Sequence, residues 1–315
     1  MSVLEKLKNK NISASSLNLY IKNLIRLNDD EEIKNFNFLK DSKKILEKIK
    51  DKSENTQRTY IISIVSLLKE QTEPKNKKLY DTYYKILIEF NSKLKNNTEK
   101  SEKQKENWIT QDEVKNIYNK LEEAATPYLL AARKKDANAK DWTHILDWFV
   151  LGLYVCQPPR RNIDYINMMV IKTFSPEMDK QYNYYSLDDN TMYFNNFKTQ
   201  KTYKLQTIPA NDAIKENFKK YLANHPLRAQ IKKLKINQCI PLLVTFEGAH
   251  VEYKESITRI LNKIFDKKIG SSLLRSIFLS DKYSDINKEK QKDVTLMGTS
   301  TNTADNNYIK NEINI

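Results

Sequence analysis

A tyrosine held opposite two distant arginines has the chemistry to act on a phosphodiester, and Tyr308 of this 315-residue sequence is a candidate for such a tyrosine. Planar guanidinium groups donate paired hydrogen bonds to phosphate oxygens, and two of them offset the charge that builds on phosphorus during attack. A phenol held opposite them can be the nucleophile. Tyr308 follows Leu296-Met297-Gly298-Thr299-Ser300 and lies nine residues after Thr299. Residues 271–308 are therefore the stretch around which the chain is organised.

The elements that must position these groups fall into two sets. Apolar residues at helical spacing mark four segments in the first hundred residues. They are Leu17 to Leu27, Phe38 to Ile49, Thr56 to Leu68 and Leu79 to Leu94. Joined by short polar connections, they predict a small helical bundle over residues 1–95. Residues 96–107 contain no apolar side chain and read as an exposed linker. Residues 108–315 form the second domain. It opens on Thr110 with Glu113 as a capping box and contains a buried central helix over Trp142–Val155 that ends at Pro158-Pro159. Further helices are predicted over Pro127–Arg133, 211–224, Ser256–Phe265 and Ser271–Leu279. Strands are predicted over Met168–Thr173, Tyr182–Leu187, Met192–Phe197 and Tyr203–Ile208, as a small antiparallel sheet with a basic turn. Leu234–Phe246 fits helix or strand. The fold class expected is mainly α with a small antiparallel β-sheet: a helical N-terminal domain followed by an α+β domain.

Composition narrows the function classes. Net charge is +14 with a pI near 9.3. Residues 1–100 hold 21 Lys plus Arg against 14 Asp plus Glu, so the two parts carry equal excesses of +7. Such a balance points to a polyanionic partner, nucleic acid before membrane. Cys156 and Cys239 are the two cysteines; with three dispersed histidines they predict neither a disulfide framework nor a zinc site. Nothing approaches the roughly 18–20 apolar residues of a membrane span, and residues 1–5 carry no apolar run of signal type. A soluble, intracellular protein is expected.

Taken in order, Arg160-Arg161-Asn162-Ile163-Asp164, Gln200-Lys201-Thr202, Ser271-Ser272-Leu273-Leu274-Arg275, Leu296-Met297-Gly298-Thr299-Ser300 and Tyr308 resemble the tyrosine recombinase (phage integrase-like) family, particularly divergent members from large DNA viruses and their mobile elements. The resemblance implies a helical core-binding domain and a catalytic domain closing on double-stranded DNA, and a tetramer on paired sites. It implies site-specific cutting and rejoining through a 3′-phosphotyrosyl intermediate, with neither metal nor nucleotide cofactor. Arg161, spaced three residues from Asp164, and Arg275 would hold the scissile phosphate; Arg160 is the alternative to Arg161, and Asp164 a structural partner. Lys201 would protonate the leaving 5′-oxygen, with Lys198 and Lys204 as flanking alternatives. Ser272 and Thr299 stand where the family has histidines and can offer hydrogen bonds but no titration near neutrality. A viral origin would place the protein in a nucleus or a cytoplasmic viral factory. A type IB topoisomerase-like enzyme and a DNA-binding clamp without cleavage are the competing readings.

Overall fold

The computed structural model describes Leu7, Lys10 and residues 12–69, 73–96, 99–134 and 138–309. It divides into two compact units, Met1–Lys100 and Ser101–Ile315. Residues 1–5 and the last residues of the chain, including Ile313 and Ile315, lie outside the described residues.

The first unit packs α1 (Ala14–Leu27), α2 (Ser42–Ile49), α3 (Glu54–Leu68) and α4 (Pro74–Asn96). Ser13, Asp41 and Ser53 cap the first three by accepting otherwise orphaned N–H groups. Leu24, Ile45, Ile61, Ile64 and Tyr83 are buried in one core. The Tyr83 hydroxyl donates to the Leu39 carbonyl at 2.9 Å.

The second unit begins earlier than its composition suggests. Within the expected linker, Glu102–Asn107 forms α5. A reciprocal capping box between Ser101 and Gln104 and a 2.7 Å pair between Lys105 and Glu102 support a helix that has no apolar face. Asn107 is buried and accepts the Lys268 N–H at 2.8 Å. Then come α6 (Gln111–Lys134), which continues through Pro127, and the buried α7 (Ala139–Val155). Around α7 lie α8 (Asn162–Ile166), α10 (Asp212–Asn224), α11 (Arg228–Ile231) and α12 (Lys254–Phe265), with the short α9 (Gln200–Tyr203) between strands. The core is aromatic: Phe149 of α7 stacks on Tyr221 of α10 at 3.7 Å.

The sheet contains β1 (Met168–Ile171), β2 (Asn183–Ser186), β3 (Thr191–Phe194), β4 (Gln206–Pro209) and β5 (Cys239–Pro241), in the order β4-β3-β2-β1-β5. It is mixed. β1 and β2 run parallel, with Met168 opposite Asn183, whereas the other pairs are antiparallel. The expectation of an all-antiparallel sheet fails because every residue of β1 is buried. With both faces covered, a strand shows no alternation from which its direction can be read. Residues 172–182 make the crossover a parallel pair requires. They cover the outer face, where Phe174 stacks on Tyr193 at 3.9 Å beside Met169 and Ile171.

The last long helix, α13, runs from Ser271 to Leu296 rather than ending near Leu279. No Gly or Pro interrupts it, so the polar and largely exposed Lys288–Lys292 run is part of the helix. Gly298, at φ +67°, ends it: the N–H groups of Gly298 and Thr299 return to the carbonyls of Thr295 and Val294. A helical turn, Thr301–Thr303, and a π-turn, Ala304–Tyr308, follow as the last described elements. Among the described residues no helix is long and apolar enough to cross a membrane.

Candidate functional site

The loop after α7 is held rigidly. Gln157 Nε2 donates to the Tyr165 hydroxyl at 2.8 Å, which donates to the Leu153 carbonyl at 3.0 Å. Tyr154 donates to Asn162 Oδ1 at 2.8 Å. Asn162 in turn donates to Thr258 Oγ1 at 2.9 Å, joining α8 to α12. Thr258 also faces Gly270, the residue before α13: a Cβ placed on Gly270 would lie 3.8 Å from the Thr258 methyl. Thr258 thus ties together the starts of α8 and α13. These two starts carry Arg161 and Arg275, which are 114 positions apart in sequence.

Arg160 is paired with Asp164, and Arg161 and Arg275 lie within electrostatic reach of that carboxylate and of each other. Arg160 and Arg161 divide the work differently from the sequence expectation. Asp164 takes its ion pair from Arg160, Nε to Oδ2 at 2.9 Å, not from Arg161. The spacing explains this correction: Arg161 is the N-cap of α8, whereas Arg160 lies four residues before Asp164, at the separation that brings side chains together across one turn. Arg160 also donates to Gln206 of β4 at 2.9 Å and lies 3.7 Å above the Phe194 ring. Its donors and its face are committed to structure. Among the described residues, no hydrogen bond or ion pair takes up the guanidinium of Arg161 or of Arg275, and both side chains are half-buried.

Electrostatics records the proximity. Burial, then the positive charge of Arg161, lowers the proton affinity of Arg275 from its usual value; Asp164 acts in the opposite sense and Arg160 adds to the lowering. The Asp164 carboxyl is pushed up by burial, against the pull of Arg160 and Arg161. Its Oδ1 is buried without a partner among the described residues. Three guanidiniums against one carboxylate leave an excess of positive charge with open donors. This is the arrangement a tetrahedral dianion or diester phosphate satisfies.

The other expected groups are placed elsewhere. Lys201 lies on α9, a helical turn rather than the tip of a tight hairpin, with Lys198 exposed just before it. This turn leads into β4, whose Gln206 reaches the arginine cluster. Ser272 is exposed on the first turn of α13, one turn before Arg275. Thr299 and Tyr308 are not brought to the cluster. At about 1.5 Å per residue, α13 carries the chain about 30 Å from Arg275 to Leu296. An ion pair between Lys290 and Asp305 holds the following segment against the distal half of the helix. Tyr308 is 61% exposed there.

Gln206, Asn162 and Thr258 position the cluster, and sequence reasoning missed all three. The bonds that join elements here, Arg160 to Gln206 and Asn162 to Thr258, link residues 46 and 96 positions apart, for which a single sequence carries no signal. Cys156 and Cys239 are free thiols. Among the described residues no group of three or more His, Cys, Asp or Glu side chains converges where a metal could be held. No family model, curated protein or solved structure matches the chain. What the site can do follows from its own chemistry.

Proposed function

We propose that the protein binds double-stranded DNA and breaks and rejoins one strand at a time through a phosphotyrosyl intermediate, as a site-specific recombinase. The observation that carries this reading is the Arg161–Arg275 pair: two guanidiniums with uncommitted donors among the described residues, brought from positions 114 apart in sequence to within electrostatic reach of each other. A phosphodiester set between them would receive donors on both non-bridging oxygens. The Tyr308 oxygen would bond to phosphorus as the bond to the 5′-oxygen breaks, the phenol's proton passing to water while the 5′-oxygen gains one from Lys201, which water then reprotonates. Attack by a 5′-hydroxyl reverses the step and seals the strand. Bond energy is conserved in the phosphotyrosine, so no nucleotide cofactor enters. Exchange between two duplexes takes four copies of the chain.

Tyr308 reaches such a phosphate only after residues 297–309 leave the distal half of α13, or from a second copy. That separation favours a second reading, a DNA clamp that binds without cleaving. Nicked suicide duplexes bearing candidate sites distinguish the two. An adduct that survives denaturing gels and disappears in Tyr308→Phe supports cleavage. Tight, salt-sensitive binding to a verified site with no adduct, unchanged in Tyr308→Phe, refutes cleavage and leaves the clamp.

A further inference from the structure

Beside α9 the second unit has a cavity of about 540 Å³, lined by Phe174, Pro176, Lys180, Asn195, Gln200, Lys201, Lys204 and Leu205. Its chemistry is one-sided. Among the described residues three lysines line it and no carboxylate does. Flat and apolar groups share the lining with this charge. Phe174 is held from behind by its 3.9 Å stack on Tyr193, in planes 6° apart, so that its ring is fixed in orientation. Asn195 and Gln200 add amide groups that can both donate and accept. The volume falls in the range of small-molecule sites, roughly 300–1,000 Å³.

A second observation marks the same place. Lys204 has φ 53° and ψ −148°, a conformation that is essentially a glycine's. A lysine held there keeps an ammonium at the cavity at the expense of backbone strain. Strain of this kind collects at ligand sites because surrounding structure must enforce it.

We infer that this cavity takes a nucleoside monophosphate unit, its phosphate on Lys180, Lys201 and Lys204 and its base against Phe174. In a DNA-bound protein the occupant is a nucleotide drawn out of its stack; the same chemistry would accept a free mononucleotide. Base–aromatic stacking tolerates any base, and the two amides face whichever edge is presented. The inference rests on the preceding reading only for the source of the nucleotide, since neither Tyr308 nor the arginine pair is needed to fill the cavity.

The test uses the full chain and 2′-deoxyadenosine 5′-monophosphate as probe, titrated calorimetrically, with inorganic phosphate and deoxyadenosine as comparators. The mononucleotide is expected to bind at least tenfold more tightly than either comparator. Lys180→Ala, in an exposed loop, should weaken it at least tenfold. Lys204→Gly should do the same while raising the melting temperature, because glycine removes both the charge and the strain. A variant that is more stable yet binds less cannot be dismissed as misfolded. Equal binding of phosphate and mononucleotide would reduce the site to an anion patch and overturn the inference, as would unchanged binding in Lys204→Gly.

A second arm decides the source of the nucleotide. A duplex carrying 2-aminopurine opposite a mismatch should change its fluorescence on binding wild type and Tyr308→Phe alike, and not on binding Lys204→Gly. Mononucleotide binding without this change assigns the cavity to free nucleotides and overturns the extrahelical role. Covalent trapping is read separately. Adduct formation with no response at the cavity sinks this inference alone, and a cavity response with no adduct sinks cleavage alone.

Discussion

Replacing His225 with Gln should remove an acid sensitivity that the fold builds into its second unit. His225 is fully buried at the end of α10. Its Nδ1 accepts the Leu227 N–H at 3.1 Å, which leaves the proton on Nε2, 3.2 Å from the Leu242 carbonyl. Trp142 and Tyr221 close on it edge to face at 6.0 and 5.4 Å. Protonating Nδ1 would break the bond to Leu227 and place a charge among aromatic rings. Burial accordingly lowers the imidazole from 6.5 to about 4, against weaker support from the carbonyls of Leu242 and Pro241. A group whose folded pKa is depressed contributes stability above its unfolded pKa and loses it as pH falls through the folded one. The contribution is therefore complete above about pH 6.5 and gone below about pH 4, and totals about 3 kcal/mol. By pH 5 about 2 kcal/mol of it is lost.

Urea unfolding followed by tryptophan fluorescence measures this directly, because Trp108, Trp142 and Trp148 all belong to the second unit. Wild type should lose about 2 kcal/mol more than His225→Gln between about pH 7.5 and pH 5. Asp147 and Asp164, whose carboxyls burial raises, act in the opposite sense but are common to both proteins and cancel in the difference. A difference below about 0.5 kcal/mol would refute the reasoning, since it would mean that the folded imidazole protonates almost as readily as the unfolded one.

Three further substitutions test the scaffold and the arginine cluster. Gly152→Ala would set a Cβ 2.6 Å from Asn217 Nδ2 and 3.2 Å from the Tyr118 ring. It should destabilise by about 1–3 kcal/mol in the same urea assay, because Asn217 is held by Tyr118 and Cys156 and cannot simply swing away. Arg160→Met strands the buried Asp164 carboxylate and should cost about 3 kcal/mol, with most of the loss recovered in the Arg160→Met/Asp164→Asn double variant. If the double is no better than the single, the pairing of Arg160 with Asp164 is not what holds this loop. Arg275→Gln removes one of two neighbouring positive charges and should change stability by less than about 1 kcal/mol while lowering the salt dependence of DNA binding by about one unit of slope. Filter binding across a salt series reads that slope, and an unchanged slope would remove Arg275 from the phosphate contacts.

By itself the sequence specified most of the helices and their caps. Apolar spacing located α1 to α4 and α7, and Thr110 with Glu113 and the start at Asn211 marked ends that the structure uses as such. These signals are local, since a helix closes its hydrogen bonds within four residues and shows its buried face in its own spacing. Arg161 and Arg275 were singled out only through the resemblance of their short motifs to those of the tyrosine recombinases. Tertiary structure decided the rest. The parallel pairing of β1 with β2 depends on a crossover that buries both faces of β1 and erases its alternation. The exchange of Arg160 for Arg161 as partner of Asp164 depends on Gln206 and Phe194 receiving the displaced guanidinium. The separation of Tyr308 from the arginines follows from the unbroken run of α13, in which spacing along the chain becomes distance along an axis. Residue types gave the chemistry, and only the packing of elements distant in sequence settled which of those groups share a site.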